Sequence, residues 1–251
     1  MLSGDSKRIF RNFLSLSTLE GINYILPLIT LPYLVRVLGP TKFGVVAFAQ
    51  AFITYFVILA DYGFYLYTPR IIAIERDNKD RVSKIFSTIM SIKLIFIIFC
   101  VGIVFLLVNL IGKLRPESTI FMYTCSMLLG DFLFPTWFFQ GMERMQFITI
   151  LYFIAKLFFL ISIFTIIKSQ ADYIYVPLLN SAGLWLAGAI SLFVIKQKFR
   201  ISFRIPLRRD ILYHLRESWY FFLSTLSTSL YTNSGIVILG IITNSTFVGY
   251  Y

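Results

Sequence analysis

Histidine occurs once, at His214, and cysteine twice, at Cys100 and Cys125. No His/Cys set therefore exists from which a structural or catalytic metal site could be assembled, and no disulfide spacing is present. A glycine loop able to cradle phosphate is missing as well. An enzyme would have to work with carboxylates alone, which nothing in the pattern favours, so the expectation is a protein without catalytic activity or cofactor. Charge is scarce: 14% of residues are Asp, Glu, Lys or Arg, against 58% hydrophobic and 18% aromatic, with a mean hydropathy of +0.79. A soluble domain would not stay in solution with that balance, which places the chain in a membrane. The apolar runs are continuous, whereas strands of a transmembrane barrel alternate over about 10 residues, so helices are preferred over a β-barrel.

What remains is helix. About 20 apolar residues at ~1.5 Å each match a ~30 Å hydrocarbon core. On that measure the sequence predicts an all-α polytopic membrane protein with seven spans, near 12–35, 43–66, 85–111, 119–141, 146–167, 173–195 and 218–242. The start, with Lys7, Arg8 and Arg11 ahead of an apolar run, superficially resembles a signal peptide. Its run is too long and lacks a small-residue cleavage site, so it reads as an uncleaved first span.

The formal net charge of +11 raises nucleic acid as a partner, but the distribution argues against it. With the N-terminus inside, the cytoplasm receives Lys7, Arg8 and Arg11, the five bases from Arg70 to Lys84, Arg144, and the seven from Lys196 to Arg216. Those are sixteen of the 23 basic residues; Arg36, Lys42, Lys113, Arg115 and Lys168 fall on the other side. This is the positive-inside pattern, and it predicts a cytoplasmic N-terminus.

Five of the seven spans hold one ionisable residue each: Glu20, Asp61, Lys93, Asp131 and Lys156. A charge facing hydrocarbon costs at least a few kcal/mol, so such residues face a polar interior and mark the route of something charged. The chain reads as a transporter. Glu20, Lys93 and Lys156 lie about 12 to 16 Å from the inner ends of their spans by helical rise, and Asp131 at a similar depth. Two acids and two bases at one level can pair, either as a static cluster holding the bundle together or as a cavity in which lysines attract an anion and carboxylates bind H⁺ or Na⁺. Asp61 lies nearer the inner interface, about two turns before Arg70, and is read as its ion-pair partner. Arg36 can snorkel outward and is counted as an exit contact for the cargo.

Pro27 and Pro32 interrupt the first span and Pro135 the fourth. Gly183, Ala187 and Ser191 form a small-residue stripe suited to close helix contact. Trp137, Trp185, Tyr152 and Tyr231 could stack on sugar rings, although most such residues belong to interface belts or core. The polar stretches 67–84 and 196–217 read as the longest connections; within the second, Ile211, Leu212, Leu215 and Trp219 follow a possible cap at Asp210 at helical spacing. Ser17 to Tyr24, STLEGINY, partly repeats in Ser224 to Tyr231, STLSTSLY. The expected organisation is therefore a six-helix lobe over 1–195, a basic linker over 196–217, and over 218–251 the first span of a second, parallel lobe. The sequence stops where an eighth span would begin, which predicts an N-terminal fragment.

The run from Leu28 to Phe64, LITLPYLVRVLGPTKFGVVAFAQAFITYFVILADYGF, the YTPR at Tyr67 to Arg70, and PTWFFQGMERM at Pro135 to Met145 resemble the Wzx-type O-antigen flippases. These form the polysaccharide-exporter branch of the MOP superfamily, alongside lipid II flippases and MATE antiporters. The resemblance implies two six-helix lobes around a V-shaped cavity in the bacterial inner membrane. The implied activity is transfer of an undecaprenyl-diphosphate-linked oligosaccharide, an O-antigen or capsule repeat unit, from the inner to the outer leaflet, driven by a cation gradient. Polysaccharide polymerase and chain-length machinery are then the expected protein partners, with membrane lipids around the chain. Under that reading Lys93, Lys156 and Arg36 meet the diphosphate, while Glu20, Asp131 and Asp61 bind the coupling cation. The second reading, a MATE-like antiporter exporting cationic amphiphiles, makes the carboxylates the substrate site and the lysines their structural partners.

Overall fold

Leu, Ile and Phe fill the long runs, and in hydrocarbon only a helix satisfies every backbone group of an isolated span. The computed structural model describes residues 4–243 and 245–251; the side chains of residues 4–9 and 11, and with them the Lys7, Arg8 and Arg11 cluster, lie outside the described residues. Among the described residues the chain is helical without strands: α1 Gly4–Asp61, α2 Phe64–Glu75, α3 Lys79–Leu110, α4 Ser118–Leu133, α5 Thr136–Gly141, α6 Met145–Ile166, α7 Tyr175–Lys198, α8 Arg208–Ile242 and α9 Ser245–Tyr250. Short 3₁₀ turns at Arg115–Glu117 and Gln170–Ile174 precede α4 and α7.

Among the described residues, five helical stretches are long and apolar enough to cross a membrane: Asn12–Glu75, Lys79–Leu110, Met145–Ile166, Gln170–Lys198 and Arg208–Ile242. The seven expected spans do not emerge as seven separate helices. Spans 12–35 and 43–66 are joined in α1, which runs helical through Pro27 and Pro32 and breaks at Gly39 instead, with φ 71° and ψ 165°. Pro40 drives the preceding residue out of the helical region, and only glycine takes that positive φ without strain. Span 119–141 is split at Phe134 and Pro135, as its proline predicts, leaving α4 with 16 residues.

The two long polar connections are shorter than expected. α2 continues to Glu75 and Asn78 caps α3 by accepting the Arg81 N–H, so stretch 67–84 is almost entirely helix. In stretch 196–217 the extended part lies along α3: the Ser202 and Arg204 N–H groups donate to Ser83 and Ser87 Oγ, and the Arg204 guanidinium pairs with Asp80. The rest opens α8, whose N-cap is Leu207 rather than Asp210; Asp210 instead pairs with Lys84 at 2.9 Å. The helical spacing from Ile211 to Trp219 thus belongs to the first turns of α8.

Two apolar clusters fill the bundle. One joins Val45, Ile53, Val104, Phe121 and Ile163; the other joins Phe64, Ile72, Ile89, Trp137, Phe138 and Leu151. Phe96 and Phe132 pack against both and mark the junction between them. α7 packs between α4 and α6. The small-residue stripe makes this possible: Ala187 is fully buried, a Cβ on Gly183 would come within 2.5 Å of the Ala155 carbonyl oxygen, and Ser191 donates to Leu133 O at 3.1 Å. Arg76, Arg144, Lys198 and Arg204 collect at the end of the bundle where α2 and α7 finish, here called the basic end. At the opposite end Lys42 pairs with Glu117 at 3.2 Å and lies 4.1 Å over the Tyr173 ring.

Candidate functional site

At the junction of the two apolar clusters sits Lys93 on α3, with a side chain 2% exposed. Its ammonium donates to Asp61 Oδ1 at 2.9 Å and to Asp131 Oδ2 at 2.8 Å. Asp61 ends α1, and its second oxygen accepts the Tyr65 N–H at 3.0 Å, bridging the break into α2. That break needs positive φ at Tyr62 and Gly63, and a Cβ on Gly63 would meet the α8 backbone at Phe222 N, 2.5 Å away. One cation between two carboxylates leaves a surplus negative charge. Asp131 is the more exposed of the two, with a side chain 41% exposed against 15% for Asp61, and it lines a cavity of about 220 Å³ with Tyr65, Thr136 and Tyr152.

A second cavity, about 200 Å³, opens in the bend of α1, where Thr30 and Leu34 from one limb face Val46 and Gln50 from the other. Lys156 of α6 and Asn180 of α7 complete it. Lys156 is half-buried and, among the described residues, has no ion-pair or hydrogen-bond partner. The two cavities share three helices. Tyr152 and Lys156 are one turn apart on α6, Leu184 and Asn180 one turn apart on α7, and Val57 and Gln50 two turns apart on α1. The acidic cavity therefore lies about 5 to 11 Å nearer the basic end than the lysine cavity, along one wall of the bundle.

The six residues singled out in the sequence are dispersed differently from the single four-charge layer expected. Lys93, Asp61 and Asp131 meet; Lys156 stands apart; Glu20 and Arg36 are exposed and, among the described residues, carry no ion pair. Asp61 does not pair with Arg70, because the helix phase is broken at Tyr62 and Gly63 and Arg70 points to the exterior. Lys93, enclosed by two carboxylates, has no free face for an anion in this conformation. Of the four aromatic residues singled out, Trp137 is core at 1% exposure, Trp185 donates to Ser126 O at 3.1 Å, Tyr231 is 88% exposed, and Tyr152 lines the acidic cavity. Gln50 and Asn180 were not singled out in the sequence. An amide inside an apolar run was the available signal, since it too needs a polar partner in hydrocarbon.

The sequence profile of the polysaccharide biosynthesis protein family matches residues 9–251. A protein of Escherichia coli strain K12 named "Putative O-antigen transporter" is 30% identical over 95% of this chain and 58% of its own length. A protein of Shigella dysenteriae with the same name is 34% identical over 91% of this chain and 57% of its own. The chain thus spans a little over half the length of these relatives. No solved structure matches. With its all-helical bundle and a family match across nearly all of its length, this chain belongs to the polysaccharide biosynthesis protein family of multi-pass membrane proteins.

Proposed function

We propose that this chain forms one half of a flippase that carries an undecaprenyl-diphosphate-linked oligosaccharide across the bacterial inner membrane, with its N-terminus and basic end in the cytoplasm. The observation that carries the reading is Lys156. An ammonium held at membrane depth without a carboxylate is costly unless water or an anion compensates it, and a diphosphate headgroup is such an anion. Gln50 and Asn180 beside it offer amides that can bond phosphate oxygens or sugar hydroxyls. The polyprenyl tail stays in lipid while the headgroup uses the cavity. An exporter of cationic amphiphiles would place its cargo against this unpaired lysine, which disfavours that reading.

The test is complementation of a flippase-null strain by a version of the chain extended to the length of its relatives. Lys156→Ala is expected to lower surface polysaccharide at least about tenfold, since a hydrogen bond to a charged group contributes about 1.5–3 kcal/mol, while Lys156→Arg retains most of it. Unchanged surface polysaccharide in Lys156→Ala at normal protein level would sink the reading.

Cation coupling belongs to the acidic cavity. Asp131, partly exposed beside the hydroxyls of Tyr65 and Tyr152, can take H⁺ or Na⁺ whenever its hold on Lys93 loosens, and a cation bound in only one conformation biases the exchange between states. Asp131→Asn keeps the Lys93–Asp61 pair and removes the surplus charge. The expected outcome is normal protein abundance with transport that no longer responds to a proton or sodium gradient, measured as lipid flipping in proteoliposomes.

A further inference from the structure

At the basic end a cavity of about 330 Å³ lies between the end of α2, the α5–α6 turn and the end of α7, lined by Arg76, Asp77, Met142, Arg144, Lys198 and Phe199. We propose that it binds the phosphate of an anionic phospholipid headgroup. This site is separate from the two cavities above and does not depend on the transport reading.

Four neighbouring bases are already neutralised: Arg81 by Glu75 at 2.6 Å, Lys84 by Asp210, Arg204 by Asp80, and Arg76 by Glu143 at 2.8 Å. Arg144 and Lys198 are different. Arg144 has no ion pair among the described residues, and Lys198 lies 4.7 Å over the Phe147 ring with no carboxylate on it. Both line the cavity, so their charge converges where scattered loop bases would spread it. Arg144 is also the N-cap residue of α6, and no side chain caps that 22-residue helix, so its first N–H groups add positive potential at the same place. Among the lining residues Asp77 is the one acid against Arg76, Arg144 and Lys198, so the lining carries a net positive charge suited to a phosphate monoanion.

Position selects the lipid. α2 and α7 end here and α6 begins here, so the cavity sits where membrane-spanning helices leave hydrocarbon and phospholipid phosphates are concentrated. Met142 and Phe199 give it an apolar floor that glycerol and upper acyl carbons can cover, and a basic pocket between helix ends is a recurrent headgroup site. A free phosphate ion would leave that floor wet.

The experiment counts bound lipid by native mass spectrometry on the purified chain in detergent, titrated with phosphatidylglycerol, phosphatidylcholine or inorganic phosphate. Phosphatidylglycerol is expected to bind at about tenfold lower concentration than phosphatidylcholine, and the double variant Arg144→Gln/Lys198→Gln to lose about tenfold or more of that affinity. Arg208→Gln/Arg209→Gln removes the same charge from exposed residues outside the cavity and should change binding by less than about twofold. Asp77→Asn, which removes the opposing acid, should tighten binding severalfold and gives a readout even if the double variant misfolds. Equal losses in both double variants would mean diffuse surface charge. Equal binding of the two lipids, or displacement of phosphatidylglycerol by an equal concentration of inorganic phosphate, would likewise overturn the proposal.

Discussion

Lys93→Met is expected to remove most of the folded protein from the membrane. The substitution keeps the apolar stem but leaves Asp61 and Asp131 facing each other at the junction of the two apolar clusters, with no cation between them. Removing one partner of a buried ion pair costs about 3–5 kcal/mol, against a total stability of about 5–15 kcal/mol. Asp61 is also fixed by its bond to the Tyr65 N–H, so it cannot swing away to water without loosening the start of α2. Proton uptake is the relief left, and it comes at the expense of both helix contacts. Membrane abundance and thermal unfolding of the purified chain read the effect. Adding Asp61→Asn and Asp131→Asn to Lys93→Met should restore much of the abundance, since neutral amides can bond each other, and that rescue separates charge imbalance from lost packing. A Lys93→Met protein as abundant and as heat-resistant as the parent would show that the cluster does not hold the bundle.

The class of the fold was legible because apolar runs of membrane length admit few structures, and the ionisable residues within them stood out for the same reason. Depth was legible in part, since helical rise converts residue number into height: Lys93 and Asp131 do meet at one level, whereas Lys156 lines a cavity about 5 to 11 Å farther from the basic end. Azimuth was not. The count gives Glu20 and Lys93 one height, yet Lys93 is buried and Glu20 exposed, because the direction of a side chain around its helix depends on neighbours that the sequence does not name. The pairing of Asp61 failed for a related reason: counting two turns to Arg70 assumes an unbroken helix, and the positive φ at Tyr62 and Gly63 resets the phase. Proline was a poor guide to the bend of α1. Pro27 and Pro32 pass within a continuous helix, where Thr30 donates to the Leu26 carbonyl at 3.2 Å, whereas the break comes at Gly39, whose successor is a third proline. Glycine before proline was the stronger signal, since it supplies both the extended ψ and the positive φ that the turn requires.

That bend also explains why Lys156 has a cavity at all. Two limbs of one helix diverge at Gly39 and cannot close on each other, so α6 and α7 fill the wedge incompletely, and the remaining space holds the polar groups Thr30, Gln50, Asn180 and Lys156. A straight α1 would have offered a continuous apolar face. The acidic cavity arises from the break at Phe134 and Pro135, next to Asp131, so each charged hollow borders an interruption of helix forced by a proline.

The position of α6 beside these cavities depends on a contact between backbones, and Gly183→Leu is expected to break it. A Cβ at residue 183 would lie 2.5 Å from the Ala155 carbonyl oxygen, 3.2 Å from its carbonyl carbon and 3.4 Å from its Cα, so no side-chain rotation can relieve the clash. Overpacking typically costs about 1–3 kcal/mol where side chains can yield; with backbone on the far side, leucine should exceed that range and alanine fall within it. Lys156 follows Ala155 on α6 and Asn180 precedes Gly183 by about one turn on α7, so pushing the helices apart widens the lysine cavity before it unfolds the bundle. Transport should therefore fall more steeply than abundance across the series glycine, alanine, leucine. Gly102 of α3 provides the control: a Cβ there meets nothing within 4 Å, and Gly102→Ala should be neutral or stabilise by about 0.5–1 kcal/mol through helix propensity. If leucine at 183 and at 102 gave the same melting temperature, α6 and α7 would not be in backbone contact, and the wall shared by the two cavities would lose its basis.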